Sequence, residues 1–253
     1  MPELAEVEVV RRALLPHLLG RRVRSVYTSA PSYFFLSPPS QLQRHLKGAQ
    51  IQGLSRHGKY LLMALDEGRM TLMLHLGMTG QLLYLKRLPR GWRTEPHLHL
   101  VLGLGDGFLL FRDPRKFGKC ALLWGDEVHP RLARLGVDAL VVRGRHLQTS
   151  GRGRRVAIKT FLLEQAVVAG VGNIYADEAL FRVGIAPDVP CSRLTPSQWD
   201  SLAGEIRAVL RQAIRRGGST VSDYRRPDGS RGGAQASHRV YGRTGQPCLR
   251  CGS

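Results

Sequence analysis

Residues 170–176 read Gly-Val-Gly-Asn-Ile-Tyr-Ala and join two segments whose apolar residues recur with helical spacing, 157–168 and 175–181. Backbone amides in a glycine-rich turn that precedes a helix make a natural cradle for a phosphate. A Gly-x-Gly turn is weak evidence for such a cradle when it is taken alone. The stretch therefore predicts two helices joined by a turn, with an anion site as a hypothesis.

The chain on the carboxyl side of this turn continues as helix and then becomes irregular. Residues 199–214 form an amphipathic helical pattern, preceded by Thr195-Pro196-Ser197 as a plausible cap. Residues 207–253 contain ten Arg and only two acids. On the amino side, residues 143–155 contain Gly, Ser and Arg without an acid, which favours a solvated basic linker.

The first half of the chain has a different pattern. Residues 3–19 have helical apolar spacing that ends near Pro16 and Gly20. Residues 23–123 consist of short apolar runs, and the turns Asp66-Glu67-Gly68 and Gly105-Asp106-Gly107 separate successive runs. This arrangement predicts antiparallel hairpins in a β sandwich or barrel.

Together these patterns predict an α+β fold without internal repeats. We expect an N-terminal antiparallel β-sandwich domain with an N-terminal helix over residues 1–140 and a basic linker over 141–156. A helical domain over 157–235 and a tail over 236–253 follow.

The charge of the chain indicates a polyanionic partner. Its 253 residues include 38 Lys and Arg against 19 Asp and Glu, a net charge of +19. Nucleic acid is the leading partner, because neutralised phosphates release counterions, and a basic ribosomal or membrane-surface protein is the alternative. No run of apolar residues is long enough to span a membrane, and the acidic amino terminus is unlike a signal peptide, so we expect a cytoplasmic protein.

The amino terminus carries a candidate nucleophile. If Met1 is removed, Pro2 exposes a secondary amine, and α-amino groups titrate near pH ~8. Such an amine can attack the anomeric carbon of a sugar, expel the base and leave an iminium ion that promotes strand cleavage. Glu3 beside it could protonate the ring oxygen and shuttle protons. The alternative is that Glu3, Glu6 and Glu8 only stabilise a helix dipole.

The segment Pro2-Glu3-Leu4-Ala5-Glu6-Val7-Glu8 resembles the amino terminus of the bacterial formamidopyrimidine-DNA glycosylases, which begin Pro-Glu-Leu-Pro-Glu-Val-Glu. Ala5 replaces the second proline of that pattern. The resemblance continues in the family's order through almost the whole chain. It implies a bifunctional glycosylase and apurinic lyase acting on oxidised purines, with Pro2 and Glu3 as catalytic residues and Glu6 as a candidate proton relay.

Two further motifs resemble the family's β domain. The hairpin Arg56-His57-Gly58-Lys59-Tyr60-Leu61 implies that Lys59 reaches the active site, although a Gly-Lys turn alone is more often solvated surface. In residues 75–80, the resemblance implies that His75 contacts phosphate and that Met78 fills the gap left by the extruded nucleotide.

The segment Asp113-Pro114-Arg115-Lys116-Phe117-Gly118 supplies the family's other two wedge residues. The resemblance implies that Arg115 reads the orphaned partner base and that Phe117 stacks in the gap. Lys116 stands where the family usually has a second Arg.

The helical half resembles the family's helix–two-turns–helix, which implies that Lys159 and Asn173 grip phosphates next to the lesion. Residues 217–233 resemble the loop that closes over the extruded base, with Ser219, Thr220 and Tyr224 as its candidate residues. We expect this loop to be mobile without DNA. Tyr241 is a further candidate DNA contact.

The tail, residues 236–253, resembles the first half of the family's zinc-finger hairpin. Cys248 and Cys251 are its only paired cysteines, whereas a structural zinc site needs four ligands. Cys120 and Cys191 could in principle complete it, but isolated cysteines are usually buried apolar residues. We therefore expect an incomplete zinc site, and no organic cofactor.

Two alternatives remain open. One is the related endonuclease VIII, which removes oxidised pyrimidines, although Met78, Arg115 and Phe117 favour the purine branch. The other is a non-catalytic protein that binds damaged DNA. The expected partner in each case is double-stranded DNA, bound by a monomer; for the enzymes it contains oxidised bases.

Overall fold

The computed structural model describes residues 1–253 and contains seven α-helices and ten β-strands. The helices are α1 (Leu4–Leu18), α2 (Pro39–Leu46), α3 (Pro130–Ala133), α4 (Gly144–Gly151), α5 (Ile158–Leu163), α6 (Asn173–Val183) and α7 (Pro196–Arg215). The strands are β1 (Ser25–Thr28), β2 (Ile51–His57), β3 (Tyr60–Leu65), β4 (Met70–His75), β5 (Gln81–Leu85), β6 (Leu98–Gly103), β7 (Phe108–Arg112), β8 (Lys119–Trp124), β9 (Val137–Asp138) and β10 (Val168–Ala169).

The strands of the first half form two antiparallel four-stranded sheets, in the orders β1-β6-β7-β5 and β2-β3-β4-β8. Alternate side chains of both sheets point into one apolar core. Leu61 and Leu72 come from one sheet, and Leu102 and Phe111 come from the other. The predicted α+β fold with an N-terminal β-sandwich is confirmed.

Helix α1 joins the sandwich to the helical half because its apolar residues face two ways. Leu4 and Val9 pack into the core of the helical half, whereas Val7, Val10 and Leu14 pack into the sandwich core. These positions lie on different sides of a 3.6-residue helix. The amino terminus is thereby held at the junction of the two cores.

The predicted linker contains a helix. Residues 144–151 form α4, and Gly144, Leu147 and Gly151 are buried in it. A Cβ atom on Gly144 would lie within van der Waals overlap of Asp200, and one on Gly151 would lie 2.8 Å from the Trp199 ring. These glycines therefore permit close packing against α7, and the prediction of a solvated linker is wrong for this segment.

The helix predicted over residues 157–168 is shorter in the structure. Helix α5 ends at Leu163, and Val168–Ala169 then form β10, which pairs in parallel with β9. The predicted cap of α7 is confirmed, since the Thr195 hydroxyl accepts a hydrogen bond from the Gln198 amide. None of the helices combines the length and apolar character needed to cross a membrane.

Candidate active site at the amino terminus

The Glu3 carboxylate occupies the amino-terminal end of α6. It accepts hydrogen bonds from the amides of Gly172 and Ile174, each at 2.8 Å. A carboxylate is stabilised there by unpaired amides and by the helix dipole. The sequence predicted that the amides of this turn hold a phosphate. That prediction is wrong for these two amides, because the chain's own Glu3 fills the cradle.

The close approach of Glu3 explains one glycine of the turn. A Cβ atom on Gly172 would lie 2.4 Å from Cδ of Glu3, closer than real Cβ contacts allow. The backbone is also tied at this point, since the Leu4 amide donates to the carbonyl of Gly170 at 3.0 Å. Residues 2–4 are thus fixed against the helix–turn–helix, and Pro2 is buried beside Glu3.

The environment of Glu3 favours a carboxyl that exchanges protons near neutrality. Its side chain is 2% exposed, and burial raises its pKa to about 7, opposed by the charge of Lys59 and reinforced by that of Glu6. Lys59 is itself buried at the β2–β3 hairpin, and burial lowers the pKa of its ammonium group while the two carboxylates raise it. Lys59 is thus electrostatically coupled to both glutamates.

Glu6 connects three segments of the chain. Its carboxylate accepts from the amide of Glu3 at 2.8 Å, from the Tyr175 hydroxyl at 2.5 Å and from the amide of Ser219 at 2.7 Å. Burial raises the pKa of Glu6, and these hydrogen bonds oppose the rise. The site thus joins α1, α6 and the loop that starts at residue 217.

Three predicted wedge residues lie on two loops that are bound together. Met78 and Phe117 expose 38% and 48% of their surface, and Arg115 is exposed as well. The buried Asp113 carboxylate ties the loops by accepting from the Thr79 hydroxyl at 2.5 Å and from the Gly118 amide at 2.7 Å. Exposed apolar side chains on fixed loops are typical of a binding surface.

His75 ends strand β4 as a neutral hydrogen-bond donor. Burial lowers its pKa to about 4, and the charges of Lys59, Arg131 and Lys119 lower it further. Its Nδ1 atom accepts from the amide of Gly77 at 3.1 Å, so the neutral ring carries its proton on Nε2. A neutral N–H group can donate to a phosphate oxygen.

Lys159 and Asn173 differ in their surroundings. The Lys159 ammonium lies 2.8 Å from a carboxylate oxygen of Asp177, whereas Asn173 is exposed as the first residue of α6. Tyr241 is half-buried, and its amide donates to the Glu178 carboxylate at 3.0 Å. Lys159 is therefore paired within the protein, while Asn173 is open to a ligand.

The loop expected to close over a base is anchored at three points. Ser219 and Thr220 are buried, and the Thr220 hydroxyl donates to the carbonyl of Tyr224 at 3.1 Å. The Tyr224 ring packs into the sandwich core and is 5% exposed. Tyr224 is therefore an anchor of the loop, and the exposed residues 221–223 and 229–231 are the part that faces solvent.

The two cysteines of the tail lie apart from the other two cysteines of the chain. Cys248 and Cys251 lie in a turn that is closed by the Gly252 amide donating to the Cys248 carbonyl at 2.9 Å. Cys120 and Cys191 are buried in two different cores. No group of three or more His, Cys, Asp or Glu side chains is placed to hold a metal.

Sequence reasoning missed the polar residues that hold the site together. Tyr175 and Asp113 lie within the recognised motifs, but the motifs assign them no role. Glu178 was not identified, although its carboxylate accepts from three consecutive amides, residues 239–241. No local pattern sets them apart, because the partners that define their roles (Thr79, Glu6 and residues 239–241) lie more than 30 residues away in sequence.

Comparison with known proteins places this geometry in a family. Residues 1–120 match the Formamidopyrimidine-DNA glycosylase N-terminal domain, and residues 135–225 match the Formamidopyrimidine-DNA glycosylase H2TH domain. The chain is 43% identical over 261 residues to the formamidopyrimidine-DNA glycosylase of Paraburkholderia phymatum, covering 100% of this chain and 93% of that protein. It is 42% identical over 258 residues to that of Acidithiobacillus ferrooxidans, with the same coverage.

Solved structures agree with these sequence relatives. A complex of wild-type Lactococcus lactis Fpg with DNA containing N7-benzyl-Fapy-dG has a TM-score of 0.90 and 36% identity, covering 100% of this chain and 92% of that one. A structure of MutM with DNA containing carbocyclic 8-oxo-G also has a TM-score of 0.90 and the same identity and coverage. With both domains matched and relatives above 40% identity along its whole length, the chain belongs to the formamidopyrimidine-DNA glycosylase family.

Proposed function

We propose that this protein acts in base-excision repair as a bifunctional DNA glycosylase and apurinic lyase for oxidised purines, with Pro2 as its nucleophile. Family membership supports the glycosylase activity. The observation that carries the residue assignment is the buried Glu3 carboxyl, fixed next to Pro2 with a pKa of about 7.

The chemistry follows from a secondary amine at the chain terminus. Once Met1 is removed, the Pro2 nitrogen attacks the anomeric carbon of the damaged nucleotide, and the bond to the base breaks as a C–N bond to Pro2 forms. The departing base takes up the proton that the Pro2 nitrogen loses. Protonation of the ring oxygen by Glu3 opens the sugar and yields an iminium ion. This nitrogen has no proton left to lose, so the cation persists as an electron sink.

The iminium ion makes strand cleavage possible. A general base of the protein removes a proton from the neighbouring sugar carbon, and the electron pair of that C–H bond expels the 3′ phosphate. A second elimination expels the 5′ phosphate, and water then releases Pro2 from the sugar fragment. Glu3 shuttles the protons of these steps, and Lys59 keeps positive charge beside it. No step uses a metal.

The wedge residues supply access to the base. A base within a duplex must leave the stack before an enzyme can reach its sugar. Met78 and Phe117 would fill the gap, and Arg115 would hydrogen-bond the partner base that remains. His75 and Asn173 would hold phosphates, and the net charge of +19 supports binding of double-stranded DNA. We propose that the protein acts in the cytoplasm as a monomer.

We propose a purine lesion as the substrate, because solved relatives are complexes with DNA containing N7-benzyl-Fapy-dG and carbocyclic 8-oxo-G. A second candidate is an oxidised pyrimidine, since one Lactococcus lactis Fpg structure contains DNA with such a base.

Borohydride trapping on matched duplexes tests the proposal. Reduction should capture a covalent complex with a duplex carrying 8-oxoguanine opposite cytosine, and little with an undamaged duplex. Capture with oxidised pyrimidines alone would move the assignment to the endonuclease VIII branch. Tight binding without capture or base release would indicate a non-catalytic binding protein.

A further inference from the structure

A chain of three hydrogen bonds connects the buried Glu6 to a histidine near the surface. The Tyr175 hydroxyl lies 2.5 Å from Oε1 of Glu6, and 3.2 Å from the Ser219 hydroxyl. The Ser219 hydroxyl lies 2.9 Å from Nε2 of His238, whose ring is half-buried. The chain crosses from α1 through α6 and the loop at residue 219 to the tail segment.

Counting protons shows that this chain has only two complete arrangements. Three hydrogen bonds need three protons, and the two hydroxyls supply two of them. When Glu6 is ionised, the third proton must come from Nε2 of His238. His238 then donates to Ser219, Ser219 to Tyr175, and Tyr175 to Glu6. When Glu6 carries a proton, every bond reverses, and Nε2 of His238 must accept.

The two arrangements contain the same number of protons in the three hydrogen bonds, and each proton is moved by one position along the chain. In passing between them, Nε2 of His238 gives its proton to Ser219, Ser219 gives its own to Tyr175, and Tyr175 gives its own to Glu6. Each hydroxyl oxygen gains one proton and loses one, the Glu6 carboxylate gains one, and no heavy atom moves. The imidazole takes up a proton from solvent on Nδ1, because Nε2 must now accept from Ser219. The geometry points to His238 as a positioning residue that exchanges one proton between solvent and Glu6 through Tyr175 and Ser219.

The proton exchange affects Glu3, the proposed catalytic acid, and in this respect the inference rests on the proposed function. The Glu6 carboxylate accepts from the Glu3 amide, and its charge raises the pKa of Glu3. Protonation of Glu6 removes this charge and therefore lowers the pKa of Glu3. His238 would make this exchange sensitive to solvent pH.

The surroundings of His238 are mixed in charge. On α6 it faces Tyr175, Glu178 and Arg182, and the ring of Tyr241 stacks edge-on at 5.8 Å. Helix α7 contributes only the neutral Gln212 at this cavity among its polar side chains. Burial lowers the pKa of His238 below its usual 6.5, and the charge of Glu178 opposes this change. The imidazole therefore loses its second proton below pH 6.5.

Nitrogen-15 NMR of the free protein tests the direction of the chain without any substrate. At pH 8, His238 should be the tautomer protonated on Nε2. In Tyr175→Phe, the Ser219 hydroxyl loses its acceptor and should donate to His238, which should then carry its proton on Nδ1. His146, whose Nε2 lies 2.8 Å from the carbonyl of Val167, should stay unchanged in the same spectra. A wild-type His238 protonated on Nδ1 would overturn the inference.

The pH profile of base excision tests the exchange itself. The wild-type profile should contain an inflection below pH 6.5 that His238→Gln lacks, because glutamine can donate to Ser219 but cannot titrate. The matched variant His17→Gln, which removes a histidine stacked on Tyr84 of the sandwich, should keep the inflection. Equal profiles for the wild type and His238→Gln would refute the exchange. If no excision occurs, the proposed function fails, while the tautomer measurement still decides the inference.

Discussion

At the scale of single residues, Glu3 combines two roles that usually belong to different side chains. It caps α6 through the amides of Gly172 and Ile174, and the same burial keeps its carboxyl protonated up to about pH 7. A capping carboxylate is ordinarily exposed and ionised. Here the cap fixes the position of the acid, and burial adjusts its proton affinity.

This leads to a prediction for Glu3→Gln. The variant should still cap α6 in part, but its base-excision rate should fall by about 10²–10⁴, the usual contribution of a general acid–base group. Because the acid form is required, the wild-type rate should decline as pH rises above about 7. Single-turnover excision between pH 5 and 9 measures both effects. Glu67→Gln, in the exposed turn after β3, is the control. An unchanged rate in Glu3→Gln would remove Glu3 from the mechanism.

At the scale of secondary structure, the turn before α6 depends on the absence of a side chain at residue 172. In Gly172→Ala the new Cβ would overlap the Glu3 carboxyl, so either the cap or the turn must shift. We expect a loss of about 1–3 kcal/mol in the free energy of unfolding and a larger fractional loss of excision rate.

Urea denaturation and single-turnover kinetics measure these two losses. Gly204→Ala in α7 is the matched control, since its Cβ would meet nothing within 4 Å. Alanine should stabilise that helix by about 0.5–1 kcal/mol. A Gly172→Ala protein as stable and active as the wild type would show that Glu3 does not need this close approach.

The strands were predictable because alternation and turn residues are local signals. Tyr60–Leu65 and Met70–His75 are strands within the predicted region, and the predicted turns at 66–68 and 105–107 lie between paired strands. The sequence did not predict helix α4. A helix whose glycines permit close packing has the same amino-acid composition as a flexible linker. The pairing of Glu6 with Tyr175 and Ser219 spans more than 160 residues, and no local pattern encodes it. The family resemblance predicted which residues form the site. Only the structure shows which of them are in contact.

At the scale of the whole molecule, an ionic network around the buried Glu8 ties α1 to the second sheet and to β9. The Glu8 carboxylate accepts from Arg11, Arg12 and Arg56, and Arg56 also pairs with Asp138. Burial alone would raise the pKa of Glu8, but hydrogen bonds from the three arginines lower it to about 2. The network thus favours the ionised carboxylate in the folded state.

The pH dependence of stability follows from that lowered value. Stability from Glu8 should be fully present above its ordinary pKa of 4.5 and should be lost as pH falls toward 2. The loss should amount to about 2–3 kcal/mol of unfolding free energy. Denaturation curves between pH 2.5 and 6 should show this slope in the wild type and in the exposed control Glu67→Gln. Glu8→Gln should lack that part of the slope, and an unchanged slope would contradict the assignment.

The identity of the nucleophile decides the account as a whole, because Lys59 is a second amine and is electrostatically coupled to Glu3. Peptide mapping by mass spectrometry of the borohydride-trapped complex tests it most directly. We predict a sugar adduct on an amino-terminal peptide that begins at Pro2, with Met1 absent, and no trapping of protein that retains Met1. An adduct on Lys59, or full trapping with Met1 still attached, would contradict the central claim.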